Sequence, residues 1–195
     1  MKIIFWNIRG MGQLARVRQL KELMSQEKVD IIGIQETIKQ SFSSQELERL
    51  SLGGPFSWNW VPSRGHSGGI LMGVKEDLLQ VENWEQGEFF VGTTVRHRIL
   101  NFRWDVLVVY GPANHELSMS FLEELRMRCQ EAELPLMIGG ILISSVYKTK
   151  AQGLVMKSLY RPLMISLETL ISESYIGWDQ DLHGQIKRSS SAKQH

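Results

Sequence analysis

The apolar residues of this chain fall into short runs separated by turn-forming residues. Lys2–Asn7 is a compact run of Ile and aromatic side chains, the pattern of a buried strand, and Gly10 and Gly12 break it. Leu14, Val17, Leu20 and Met24 then recur at helical spacing with Arg16, Arg18, Lys21 and Glu22 between them. This predicts an amphipathic helix ending near Lys28. Asp30–Glu36 (DIIGIQE) is a second apolar strand. A strand–helix–strand order implies a right-handed parallel crossover, which brings Asn7 and Glu36 to the same C-terminal edge of one sheet.

The middle of the chain reads as strands at Phe56–Val61, Gly68–Val74, Val91–Leu100 and Asp105–Tyr110, punctuated by Gly, Pro, Ser and Asn. A second helix is predicted over Leu117–Glu133, with Phe121, Leu122, Leu125, Cys129 and Ala132 as its apolar face. Ser120 and Glu123 have the spacing of a capping box in its first turns. Leu134–Ile143 is a further apolar strand, and no internal repeat is present. Beyond Ile143 the pattern weakens. Met156–Leu170 is apolar but Pro162 interrupts any helix there, and Gln185–His195 has the polar, low-complexity makeup of a disordered tail.

Composition narrows the class. The 195 residues are 43% hydrophobic and 22% charged with a net charge of +1, which excludes a disordered chain and suits one domain. No run approaches the roughly 20 apolar residues of a membrane span, and the N-terminus has no signal-peptide pattern. A soluble intracellular protein without a membrane partner is expected. The single cysteine, Cys129, excludes an internal disulfide framework and a multi-cysteine zinc site. Its place on the apolar side of a helix argues against a disulfide-linked partner. Residues 1–140 carry a net charge of −2 and residues 141–195 a net charge of +3, so the last quarter differs in makeup from the rest.

Several residues have the right chemistry for a site. Asn7 and Glu36 offer an amide and a carboxylate oxygen at neighbouring strand ends, donors suited to a hard cation such as magnesium. Taken singly, each is more often a turn or capping residue. Tyr110 ends another apolar strand, where a hydroxyl can reach a phosphate, although a half-buried aromatic with a wet hydroxyl is the commoner outcome. Ser67-Gly68-Gly69 permits close backbone approach to a ligand or simply a tight turn. Histidines 66, 97, 115, 183 and 195 show no metal-ligand spacing, and Arg64, His66, Arg96 and Arg98 form only a loose basic cluster.

The blocks WNIRG (Trp6–Gly10), IQET (Ile34–Thr37), SGGILMGV (Ser67–Val74), VYGPANHE (Val108–Glu116) and LPLMIGG (Leu134–Gly140) occur in this order at strand edges. Together they resemble the endonuclease/exonuclease/phosphatase superfamily, and most of all the endonuclease domain of plant LINE-type non-LTR retrotransposons. The resemblance covers residues 1–143. It implies a four-layer α/β sandwich of the DNase I-like type, left incomplete, followed by a divergent remainder at 144–184 and the tail at 185–195. It also implies a magnesium-dependent DNA endonuclease, with manganese as an alternative ion and the nucleus as the site of action. Asn7 and Glu36 match the metal-binding positions and Tyr110 the catalytic, phosphate-side tyrosine. Arg9, Ser67 and Asn114 are assigned to substrate binding.

The resemblance breaks after Gly139-Gly140. The family continues Asp-Phe-Asn, whereas this chain continues Ile141-Leu142-Ile143. The family's Ser-Asp-His block is also missing, since Asp181-Leu182-His183 has the wrong spacing. Asp30 and Asp105 open strands that end at the site and so lie at the wrong edge of the sheet. Impaired cleavage is therefore expected. The alternatives are a catalytically dead remnant, a nucleic-acid-binding module, or a phospholipid or inositol-phosphate phosphoesterase of the same superfamily.

Overall fold

The computed structural model describes residues 1–142 apart from Leu52, Gly53, His66 and Ala113, together with residues 151–152. The expectations for 144–184, apart from residues 151–152, and for the tail at 185–195 lie outside the described residues. Two sheets form. The first contains β1 (Ile3–Asn7), β2 (Ile31–Gln35), β3 (Phe56–Arg64) and β4 (Ser67–Lys75) in the order β1-β2-β4-β3. The second contains β5 (Leu79–Gln86), β6 (Phe90–His97), β7 (Arg103–Tyr110), β8 (Leu136–Leu142) and β9 (Ala151–Gln152) in sequential order. Helices α1 (Leu14–Glu27), α2 (Ser44–Leu50) and α3 (Ser118–Glu131), the last preceded by a 3-10 turn at His115–Leu117, complete the described elements.

Alternation along the strands decides what lies between the layers. Ile31, Ile70, Met72 and Val74 of the first sheet pack with Val91, Val95, Val106 and Val108 of the second, forming the core between the sheets. The opposite face of the first sheet, with Ile32, Ile34 and Leu71, packs on Leu20 and Met24 of α1 and Leu50 of α2. On the outer side of the second sheet, Phe121 of α3 meets Phe89 edge-on, at 5.5 Å between ring centres. The arrangement is the expected helix–sheet–sheet–helix sandwich. Gly33 permits the close approach of the sheets, because a side chain there would meet Phe5 and Val108 at 2.7 Å.

β1 and β2 run parallel with Asn7 beside Gln35, as the crossover requires. Three details differ from the sequence expectation. α2 is an additional helix, closed by a capping box in which the Ser43 hydroxyl accepts from the Glu46 amide at 3.3 Å and Glu46 accepts from the Ser43 amide at 2.9 Å. No such box forms at Ser120 and Glu123: α3 starts at Ser118 with no side-chain cap, and Glu123 pairs with Arg126 at 2.5 Å instead. β5 is an additional strand. A bulge between Val81 and Asn83 breaks its alternation, so Leu79, Val81 and Trp84 all face the inter-sheet core.

Candidate active site

The site is assembled by backbone stitching at the C-terminal ends of β1 and β2. The amide of Ile8 donates to Gln35 O at 3.0 Å, that of Gly10 to Glu36 O at 2.7 Å and that of Met11 to Thr37 O at 2.9 Å. Thr37 and Ile38 in turn donate to Gly69 O and Gly68 O at 3.1 and 3.0 Å. Three sequence-distant segments are thereby laid side by side: Asn7–Met11, Glu36–Ile38 and Ser67–Gly69. The register needs unusual backbone. Arg9 and Glu36 have φ of 52° and 55°, the left-handed region that non-glycine residues seldom enter. Arg16 supports the first loop by donating to the carbonyls of Ile8 at 3.2 Å and of Arg9.

Asn7 is half-buried, and its Oδ1 accepts from the Arg9 amide at 3.0 Å, which orients the side-chain oxygen. Glu36 follows β2 directly and faces the second sheet, where the Tyr110 hydroxyl lies beside its carboxylate. Burial, and then the Glu36 charge, push the Tyr110 hydroxyl up to about 12. Tyr110 therefore remains a protonated hydrogen-bond donor at neutral pH. Arg9 is exposed.

Beyond Tyr110 a groove of about 310 Å³ opens, lined by Arg64, Ser67, Gly69, Phe89, Pro112 and Asn114 among others. Ser67 and Asn114 thus meet Tyr110 in one groove, while Asn7, Arg9 and Glu36 form the neighbouring strand-end cluster. Two supports of this groove escaped sequence reasoning. Arg64 donates to Glu88 at 2.6 Å across the groove rim. Glu124 of α3 accepts from the Glu88 and Phe89 amides at 2.6 and 3.0 Å and so fixes the β5–β6 turn. Each joins residues far apart in sequence, and no local motif announces it.

The strands also explain the missing acid. β8 pairs parallel with β7, and the register sets Ile141 beside Tyr110. Position 141, where the family pattern has Asp, is thus at the site with a residue that cannot accept a proton. Asp105 does not substitute. It accepts from Thr94 Oγ1 at 2.7 Å and from Arg128 at 2.8 Å at the far end of β7. Asp30 accepts from the Lys2 amide at 2.7 Å at the far end of β2. Among the described residues, no three His, Cys, Asp or Glu side chains gather as a metal cluster. The donor set at Asn7 and Glu36 nevertheless fits a hard divalent ion that takes one carboxylate, one amide oxygen, and otherwise water and phosphate.

Two facing sheets with helices outside, and a strand-end carboxylate opposite a tyrosine of the second sheet, define a DNase I-like fold. The model of the Endonuclease/Exonuclease/phosphatase family matches residues 4–140, and the chain belongs to that family. Among solved structures, an AP endonuclease from Archaeoglobus fulgidus is 17% identical with a TM-score of 0.54, over 72% of this chain and 56% of that one. The 3′ phosphatase NExo from Neisseria, bound to a product DNA hairpin, is 16% identical with a TM-score of 0.53, over 72% of this chain and 57% of that one. A humanized D. rerio TDP2 is 17% identical with a TM-score of 0.53, over 71% of this chain and 64% of that one. At these identities the likeness is one of fold. The chain spans less than two thirds of the length of these proteins. No curated protein matches it. The family includes DNA nucleases and phosphatases and is generally dependent on a divalent metal.

Proposed function

We propose that this chain is a divalent-metal-dependent phosphodiesterase domain of retrotransposon origin, built for DNA and impaired in cleavage. The observation that carries the reading is the convergence of Asn7 and Glu36 of the first sheet with Tyr110 of the second at strand ends beside a groove. Glu36 and Asn7 are the residues that would hold magnesium or manganese. When bound, such an ion supplies positive charge to the scissile phosphate as negative charge develops there. Tyr110, whose hydroxyl hydrogen is directed at the Glu36 carboxylate, would redirect it to a phosphate oxygen when an ion engages that carboxylate. Arg9 adds a second cation. Ser67 and Asn114 position the nucleoside flanking the phosphate in the groove. These groups bind and polarise a phosphodiester. The step they do not provide is removal of the proton from attacking water, because Ile141 occupies the register position beside Tyr110.

The retrotransposon origin and the DNA substrate rest on the sequence blocks around Ser67–Val74 and Val108–Glu116. Supercoiled-plasmid nicking with magnesium tests the reading. Slow nicking that disappears in Glu36→Ala supports it. Equal activity in Glu36→Ala overturns the metal assignment, and the absence of nicking under any metal identifies an inert remnant.

A further inference from the structure

Arg64 and Glu88 are the only charged side chains that line the groove beyond Tyr110 among the described residues. They reach it from different sheets. Arg64 is the last residue of β3 and pairs with Ser67 of β4 at the hairpin end. Glu88 lies in the turn between β5 and β6. The guanidinium donates to the carboxylate at 2.6 Å, so the pair ties the two sheets together beside the groove.

The two partners are not equivalent. Glu88 is carried on a fixed backbone. Its amide and that of Phe89 donate to the Glu124 carboxylate at 2.6 and 3.0 Å, and the Gly87 amide donates to Phe90 O at 3.0 Å. Gly87 permits this grip, because a side chain there would meet Glu124 Oε1 at 2.3 Å. Gln86 donates to Asn59 Oδ1 and Trp60 O at 2.6 and 2.9 Å and holds the same turn against β3. Arg64 is the opposite case. Its side chain is 73% exposed against 37% for Glu88, and the Glu88 carboxylate is its only partner among the described residues. An exposed pair of this kind adds little to stability, so Arg64 leaves it at small cost.

A carboxylate fixed beside a phosphodiester repels it, and this repulsion is offset only if the neighbouring cation turns to the phosphate. A guanidinium can bind phosphate through two parallel hydrogen bonds, whereas Arg64 meets Glu88 through one nitrogen, Nη1. The exchange therefore favours the phosphate.

We propose that Arg64 is a phosphate-binding residue held in reserve by Glu88. Without DNA the guanidinium rests on Glu88; with DNA in place it turns to the phosphate next to the one at Tyr110. Glu88 is then a specificity determinant. A lone anion must displace it unaided, whereas a polynucleotide anchored at Tyr110 presents its next phosphate at high effective concentration. This rests on the reading of the site as one for DNA phosphodiesters, and it names the residue that holds the neighbouring phosphate.

Fluorescence anisotropy of a labelled DNA duplex, titrated with the full chain in EDTA over a series of salt concentrations, tests it. Arg64→Ala should weaken binding about tenfold, the loss of a charge-assisted hydrogen bond, and lower the salt dependence by about one phosphate contact. Glu88→Gln should do the opposite and tighten binding about two- to fivefold, since the carboxylate no longer competes for Arg64. The opposite signs separate this role from a merely structural bridge, which either substitution breaks equally and which would shift binding in one direction. Arg64→Lys should recover only part of the loss, because it keeps the charge and not the fork. Arg64→Ala binding like the parent, or Glu88→Gln binding more weakly, overturns the proposal. A parent chain that binds no DNA overturns it together with the DNA reading. Nicking unaffected by Glu36→Ala, alongside opposite shifts in binding, removes the metal assignment and leaves Arg64 in place.

Discussion

Gln35→Met should make the protein more stable, although it replaces a polar residue directly before Glu36. Gln35 is 0% exposed, and neither its Oε1 nor its Nε2 has a hydrogen-bond partner among the described residues. It shares the inter-sheet face of β2 with Ile31 and Gly33, and its amide lies against Gly140, where an added methyl would come within 3.1 Å of Nε2. Each buried polar atom left unpaired costs about 1–3 kcal/mol. Methionine keeps the unbranched shape and has no polar group to strand, and its imperfect fit costs less than about 1.5 kcal/mol. Two such atoms, less that cost, leave a net gain of about 0.5–6 kcal/mol, and each kcal/mol raises Tm by roughly 2–4 °C in a chain of this size. Urea unfolding with an unchanged m-value, together with a thermal melt, measures it. Gln35→Ala, which leaves a cavity, should fall below Gln35→Met. A Gln35→Met protein less stable than the parent would refute the reasoning, because the amide would then have partners worth more than its burial costs. A costly amide kept beside Glu36 points to a side chain retained for the site rather than for stability.

Arg128→Met should destabilise by about 3–5 kcal/mol in urea, because it strands two carboxylates that Arg128 reaches at 2.7 Å (Glu85) and 2.8 Å (Asp105). Adding Asp105→Asn should recover part of the loss. Tyr110 should resist ionisation as pH rises through 10 and titrate near 12, read from ultraviolet difference spectra against Tyr110→Phe. Its folded pKa is raised, so the associated stability is present below pH 10 and is lost as pH rises toward 12. Glu36→Gln should lower that titration only in part, since burial is the larger cause. A Tyr110 that titrates at the ordinary value of 10 would contradict its burial beside Glu36.

The parts of the fold legible in sequence were those whose pattern is local. β1, β2, β4 and β7 are apolar runs closed by turn residues, and a parallel crossover fixes where Asn7 and Glu36 must meet. β5 was illegible because its bulge puts Val81 and Trp84 on one face and destroys the period of two. α2 was illegible because SQELERL has few apolar positions and is defined by its cap and by Leu47 and Leu50 against the first sheet. The candidate site divides in the same way. Asn7, Glu36 and Tyr110 follow from strand ends, whereas the Arg64–Glu88 and Glu124–Phe89 links depend on how hairpin and helix pack across the second sheet. The register of Ile141 against Tyr110 required the pairing of β7 with β8.

The proposed phosphodiester site keeps its metal and phosphate groups and lacks its base. Magnesium-dependent plasmid nicking by the parent chain, by Ile141→Asp/Ile143→Asn, and by the same double variant carrying Glu36→Ala tests it most directly. The double variant should nick about 10²–10⁴-fold faster than the parent, the usual contribution of a positioned acid or base. Glu36→Ala should abolish the gain. Fast nicking by the parent, or no gain in the double variant, would contradict it.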